Sequence, residues 1–312
     1  MIFCQKGVLY MNYYLQNNLS EEELRQLVLD CDHDLERRMA EVARKVAADP
    51  DLHLIGLTGP TCSGKTTTAR LLTEEFQEHG RRVHVISIDD FYYDKSVLQA
   101  RADRDPDIEV DYDSEDTIDV ELLEEKTQQL LEGKETRLPR FDFHSGMRCE
   151  GALIDPRPED VFLFEGIQIL YPSVDALLRK SNYQSIYIRP TSSIFLGKEE
   201  FDPNEIRLMR RLVRDYLYRS TDPEFTFYVW QSVRENEEKN IFPYAHTCNH
   251  FIDSTMPYEI GMLKPYLERL LGKISESGKY YGDAREVLRQ LTEVQPIPSD
   301  YMTPNSLYKE FI

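Results

Sequence analysis

The sequence predicts an α/β fold in three layers: a mostly parallel sheet with helices on both faces, a helical lid and a helical C-terminal part. Three observations carry this. The apolar run 52–57 leads into Gly59-Pro60-Thr61-Cys62-Ser63-Gly64-Lys65-Thr66, which fits the phosphate-loop pattern G-x-x-x-x-G-K-[ST] at a strand-to-helix turn. Apolar runs of strand length alternate with helical patterns as far as residue 255, as in parallel strands joined by crossovers. Arg207, Arg210, Arg211, Arg214 and Arg219 crowd into thirteen residues of a chain whose formal net charge is −19.

That negative charge argues against a nucleic-acid or anionic-membrane partner, because the mean field repels polyanions, and any phosphate must be held by a local site. A hydrophobic content of 41% in 312 residues fills a sizeable core. The five cysteines are spread out with no C-x-x-C pair, which points away from a zinc site or a disulfide framework and toward a reducing cytoplasm. Nowhere do about 18 apolar residues run together, and no cleavage signature follows the first residues, so a soluble, unexported protein is expected. Whether it forms a homo-oligomer stays open.

In chain order, Ser20 and Glu23 make a capping box, and Leu24, Leu27, Val28, Cys31, Leu35, Met39, Val42 and Val46 recur at helical spacing up to Pro50. This helical leader, 1–49, reads as an amphipathic surface helix in front of a main domain, 50–271. Behind the phosphate loop a helix runs to Gly80, a left-handed cap, and 83–88 is a strand. A helix of about 16 residues and a return strand of about eight cover similar lengths, ~24 and ~26 Å. Asp89 therefore comes back to the level of Lys65, at the carboxyl edge of the sheet. The acid- and tyrosine-rich stretch 90–119 lacks sustained periodicity and reads as an inserted substrate loop. A helix over 119–131 stops at Gly133, 138–143 is a short extended piece broken by Pro139, and 161–166, 185–188 and 251–253 are strands. Helices over 258–271 and 283–291 and a proline-punctuated tail complete the chain, with 272–312 as a separate C-terminal part.

The chemistry follows from this placement. Backbone N–H groups of Gly59, Pro60, Thr61, Cys62, Ser63, Gly64 and Lys65 (proline, which has none, excepted), continuing through Thr66 and Thr67, cradle a polyphosphate at a helix N-terminus; Lys65 reaches the β- and γ-phosphates, and the Thr66 hydroxyl faces Mg2+. Asp89 is placed to take a proton from an attacking hydroxyl or to hold a magnesium-bound water, and Glu165, ending a buried strand, to orient a second such water. At 100° per residue, Arg207, Arg210, Arg211 and Arg214 fall on one face, with Arg219 off the stripe. Such a face is either a solvated surface or a lid that neutralises transferring phosphate, and the phosphate loop favours the lid. Of the aromatic residues beside these acids, Tyr92, Tyr112 and Phe141 are the candidates to stack on a base or sugar, and Arg148 is a further substrate-side cation.

These residues, in this order, resemble the uridine kinase and phosphoribulokinase group of P-loop kinases, and within it the bacterial uridine kinase-like nucleoside kinases. The resemblance rests on the loop, on Ser87-Ile88-Asp89-Asp90-Phe91-Tyr92, on Phe164-Glu165-Gly166-Ile167 and on the arginine helix followed by Val233-Arg234. It also includes His33-Asp34-Leu35-Glu36-Arg37-Arg38-Met39, and so covers most of the chain. Members of that branch often carry an N-terminal module resembling part of threonyl-tRNA synthetase, in whose place the short leader stands here. The resemblance implies a P-loop NTPase-type fold, ATP and Mg2+ as cofactors, Asp89 as base for a nucleoside 5′-hydroxyl, Asp113 as partner of the ribose hydroxyls, Glu165 as a magnesium-side acid, and Arg211, Arg214 and Arg219 as catalytic or substrate arginines. The implied activity is phosphorylation of a pyrimidine nucleoside (uridine, cytidine or thymidine). Phe141 and Gly146 stand where pyrimidine ribonucleoside kinases have a base-reading tyrosine and histidine, and Thr221 where they have an arginine. A kinase of another hydroxyl metabolite such as a sugar phosphate, or a nucleotide-binding module without transfer activity, are the alternatives.

Overall fold

A computed structural model describes residues 3–5, 8–10, 12–103 and 114–312 of the chain. Strands β1 (Phe3–Gln5) and β2 (Val8–Tyr10) pair antiparallel, and β3 (Tyr13–Tyr14) follows. Helix α1 (Glu21–Ala47) opens on the expected capping box, with the Ser20 hydroxyl accepting from Glu23 N–H. Its buried Leu24, Val28, Leu35, Met39, Ala43 and Val46 form one stripe, and that stripe packs into the same core as the central sheet. The leader is thus joined to the main body by a shared apolar core.

Next come β4 (Leu54–Thr58), α2 (Lys65–Glu78), β5 (Val83–Ser87), α3 (Lys95–Ala102), α4 (Val120–Leu131), β6 (Thr136–Asp142), β7 (Met147–Ile154) and β8 (Val161–Glu165). The chain continues through α5 (Pro172–Leu178), β9 (Tyr183–Arg189), β10 (Ile194–Leu196), β11 (Glu199–Phe201), α6 (Pro203–Arg219), α7 (Pro223–Asn240), β12 (His250–Asp253), α8 (Glu259–Leu271) and α9 (Tyr281–Gln290).

Five strands form the parallel central sheet in the order β12-β9-β4-β8-β5. The chain leaves β4 for one side, through β5 and β8, and then for the other, through β9 and β12, so the carboxyl end of β4 lies where ligands bind in open α/β sheets. Alternation along the strands builds two cores. Ile55, Leu57, Leu163, Ile186 and Ile188 face α1, α2, α6 and α8, whereas Leu54, Phe162 and Phe164 face α4 and α5. Three layers result.

Two local expectations are corrected. The stretch read as an aperiodic loop contains α3, and the piece over 138–143 belongs to β6, which pairs with β7 as an antiparallel hairpin. Pro139 is accommodated because the register shifts between Arg137 and Pro139, and β7, largely solvent-facing, has too little apolar alternation to announce itself. Beyond α9 the chain runs back over the body. Buried Asp32 of α1 accepts hydrogen bonds from the Tyr258 hydroxyl, from Thr303 N–H at 3.0 Å and its hydroxyl at 2.9 Å, and from the Ser306 hydroxyl at 3.0 Å. Among the described residues no helix is long and apolar enough to cross a membrane.

Candidate active site

Between β4 and α2 the backbone turns through left-handed conformations at Cys62 (φ 58°) and Gly64 (φ 101°), which curls the loop so that successive N–H groups converge on one concavity. At Gly59 a Cβ would collide with the Ile188 carbonyl, so glycine lets the loop pass against β9. Ser63 Oγ donates to Pro60 O at 2.7 Å, and Lys65 Nζ lies over the loop, donating to Gly59 O at 2.8 Å and Pro60 O at 3.2 Å.

The loop is braced from behind by two arginines read from the sequence as phosphate-facing. Arg207 Nε donates to Thr61 O at 3.0 Å and Arg210 Nη1 to Cys62 O at 3.1 Å; both side chains are fully buried. Arg207 makes a two-point pair with Glu237 of α7, and Arg210 with Glu259 of α8 at 2.7 and 3.0 Å. The expectation of four arginines turned together toward phosphate is therefore overturned: half of that stripe is interior, because distant glutamates compensate it. Arg211, Arg214 and Arg219 instead share the buried Asp215, at 3.2, 2.7 and 3.5 Å. Of these three, Arg214 and Arg219 line the cleft, and Arg219, expected to fall off the stripe, is one of the two that reach it.

That cleft, about 380 Å³, is bounded by loop residues 61–66, Asp89, Tyr92, Glu165, Gln168 and the arginine pair. Burial pushes the Asp89 carboxyl up, opposed by a 2.6 Å hydrogen bond from Gln168 and by the Lys65 charge. Burial likewise raises Glu165, again opposed by Lys65, and lowers the Lys65 ammonium against the pull of Glu165 and Asp89. The carboxyl groups of Asp89, Glu165 and Glu310 and the Lys65 ammonium thus sit around a single concavity. Asp89 and Asp90, adjacent in sequence, part company: Asp90 Oδ1 accepts Phe141 N–H at 3.0 Å and ties the hairpin to the turn after β5.

The remaining candidates divide. Tyr92 lines the cleft, with the Phe141 ring 5.5 Å away and buried behind it; exposed Phe143 is the hairpin aromatic that reaches the cleft itself. Arg148 is engaged elsewhere, with Asp119 at 2.9 Å and Tyr92 O at 3.2 Å, and does not line the cleft. Tyr112 and Asp113 lie outside the described residues. Two cleft residues escaped the sequence reading. Gln168 is the one polar side chain in Ile167-Gln168-Ile169-Leu170, a signal available in principle. Glu310 accepts the Thr67 N–H at 2.5 Å from 243 positions away, and nothing local marks it.

A family model described as "Phosphoribulokinase / Uridine kinase family" matches residues 54–257. The chain belongs to the phosphoribulokinase/uridine kinase family. It is accordingly a phosphotransferase acting on a hydroxyl group. It is 30% identical over 162 residues to the uridine kinase of Lactobacillus helveticus, covering 52% of this chain and 67% of that one. With the uridine kinase of Tolumonas auensis it shares 29% identity over 235 residues, 72% of this chain and 97% of that one. A solved phosphoribulokinase from Rhodobacter spheroides is similar at 13% identity with a TM-score of 0.41, over 79% of this chain and 99% of that chain. The family match takes in the loop, Asp89, Glu165, Gln168, Arg214 and Arg219, and leaves α1 and the Glu310 segment outside it.

The residues also fit the magnesium ion that such kinases use. Thr66, Asp89 and Glu165 bound the same cleft, while among the described residues no three His, Cys, Asp or Glu side chains gather into a metal cage. A hard cation that takes most of its ligands from phosphate oxygens and water needs one or two such oxygen donors from protein.

Proposed function

We propose that the chain is an ATP- and magnesium-dependent nucleoside kinase of the cytoplasm that moves the γ-phosphoryl group of ATP to the 5′-hydroxyl of a pyrimidine nucleoside. The observation that carries this reading is Asp89 lining the same cleft as Lys65 and the phosphate loop. The uridine kinases among its relatives support the choice of acceptor.

In this reading the loop amides and Lys65 hold the β- and γ-phosphates. Thr66 and Glu165 face the magnesium ion, which when bound supplies charge neutralisation between the phosphates. Asp89 takes the proton from the 5′-hydroxyl as its oxygen bonds to the γ-phosphorus, and the bond from that phosphorus to the bridging oxygen breaks to leave ADP. Arg214 and Arg219 neutralise charge on the transferring group, and Arg211 acts through Asp215 to place them. Tyr92 and Phe143 flank the base or sugar.

A panel of nucleosides and sugar phosphates, with ADP release and phosphorylated product both measured, tests the reading. Pyrimidine nucleosides should be the best acceptors, and Asp89→Asn should cut turnover by about 10² or more with ATP binding retained. Phosphorylation of sugar phosphates alone would move the protein to the other arm of its family. Tight ATP binding with no product from any acceptor would make it a nucleotide-binding module.

A further inference from the structure

Gln168 stands in the turn after β8 and is 1% exposed, between Ile169 and Ile167 on a short helical turn whose Ile169 and Leu170 anchor in separate apolar clusters. Its amide nitrogen donates to Asp89 Oδ1 at 2.6 Å and to the Tyr92 hydroxyl at 2.9 Å. An ionised carboxylate only accepts, so Asp89 fixes which way the amide faces: nitrogen toward Asp89, carbonyl away from it. That carbonyl oxygen, Oε1, is buried and has no partner among the described residues, although the side chain lines the cleft. Gly166 (φ 153°) makes room for it, since a Cβ there would collide with Oε1. Buried acceptors are as a rule satisfied. One on a side chain that bounds a ligand cleft, with both amide protons already committed, is an acceptor for a hydrogen that the ligand brings.

We propose that Gln168 is a specificity-determining residue for the acceptor: while its nitrogen positions Asp89, its carbonyl accepts a hydrogen bond from a second O–H or N–H of the molecule being phosphorylated. This rests on the reading of Asp89 as the base in a hydroxyl-phosphorylating cleft. It adds that the acceptor must carry another hydrogen-bond donor within reach of the hydroxyl that reacts. A sugar hydroxyl and a base N–H are the two sources of that donor.

The experiment uses the full chain with ATP and magnesium, and uridine beside 2′-deoxyuridine, 3′-deoxyuridine and N3-methyluridine. One of the three analogues should lose about 10²-fold or more in kcat/KM in the wild-type protein, and which one names the donor; sites built to pair a polar group discriminate strongly against its absence. Gln168→Leu and Gln168→Met should abolish that preference, bringing the analogue within about threefold of uridine. Both variants should keep the KM for ATP close to wild type while turnover falls for every acceptor, because Asp89 loses the donor that positions it. Unchanged discrimination in both variants overturns the proposal, as does an equal loss for every acceptor accompanied by a loss of ATP affinity, which marks a purely structural role. Failure of the underlying reading shows earlier, as no product from the wild-type protein with any acceptor, and takes this proposal with it.

Discussion

Arg210 shows how far a residue's chemistry depends on what arrives from elsewhere in the chain. Its guanidinium is fully buried, pairs with Glu259, stacks 5.1 Å from the Phe311 ring and braces the loop through Cys62 O. Deleting one member of a buried pair leaves the other charged and unsolvated, a cost of about 3–5 kcal/mol. We therefore expect Arg210→Met to lower stability by that order in urea titrations and to weaken ATP binding as well, because the loop loses its brace. A stability loss under about 1 kcal/mol would mean that the pair behaves as a surface one. The helical wheel placed Arg207 and Arg210 with Arg214, and rightly so. What it lacked was the partners, Glu237 and Glu259, 30 and 49 positions along the chain. Lys65, Thr66 and Asp89 were legible because a strand, a tight loop and a crossover fix their meeting by local geometry. The sorting of the arginines was not, because it is decided by long-range compensation.

Among the elements, the junction of β5, β8 and the segment that leads from β7 into β8 is held by the buried Asp160. It pairs with Arg82 and accepts from Arg157 N–H at 3.0 Å and His84 Nε2 at 2.8 Å. Burial alone would raise this carboxyl, but the Arg82 pair, the backbone N–H and His84 overcome it and hold the group at about 2. Since the unfolded value is about 3.9, the stabilisation is complete above that pH and drains away as pH falls through about 4 toward 2. Thermal melts across that window should show the loss, and Asp160→Asn should melt lower at neutral pH with a flatter acid limb. A variant whose acid limb matched wild type would assign the pH dependence to other carboxylates. The parallel strands β4, β8, β9 and β12 could be read from their apolar runs, whereas β7 could not, since its pairing and not its side chains holds it in place.

At the scale of the whole molecule, the segment after α9 closes a circuit that begins at α1. Asp32 pins Thr303 and Ser306, Leu307 packs against Gly64, and Glu310 then reaches the first turn of α2 to accept the Thr67 N–H. A carboxylate at that position stabilises the free protein, because the N-terminus of a helix carries partial positive charge. The same carboxylate lies in the cleft with Lys65 and takes up an amide where the proposed function puts the polyphosphate of ATP. Its two effects have opposite signs. Glu310→Gln should lower the stability of the free protein by up to about 1 kcal/mol. It should also tighten ATP binding, by about fivefold if the repulsion relieved is of the same ~1 kcal/mol order, and by less as added salt screens the charge. Calorimetric titration with ATP at two salt concentrations, beside a melting curve without nucleotide, reads both. Should the variant bind ATP more weakly, Glu310 would be a ligand of the donor site and not a competitor for it, and the segment would serve to complete the phosphate cradle.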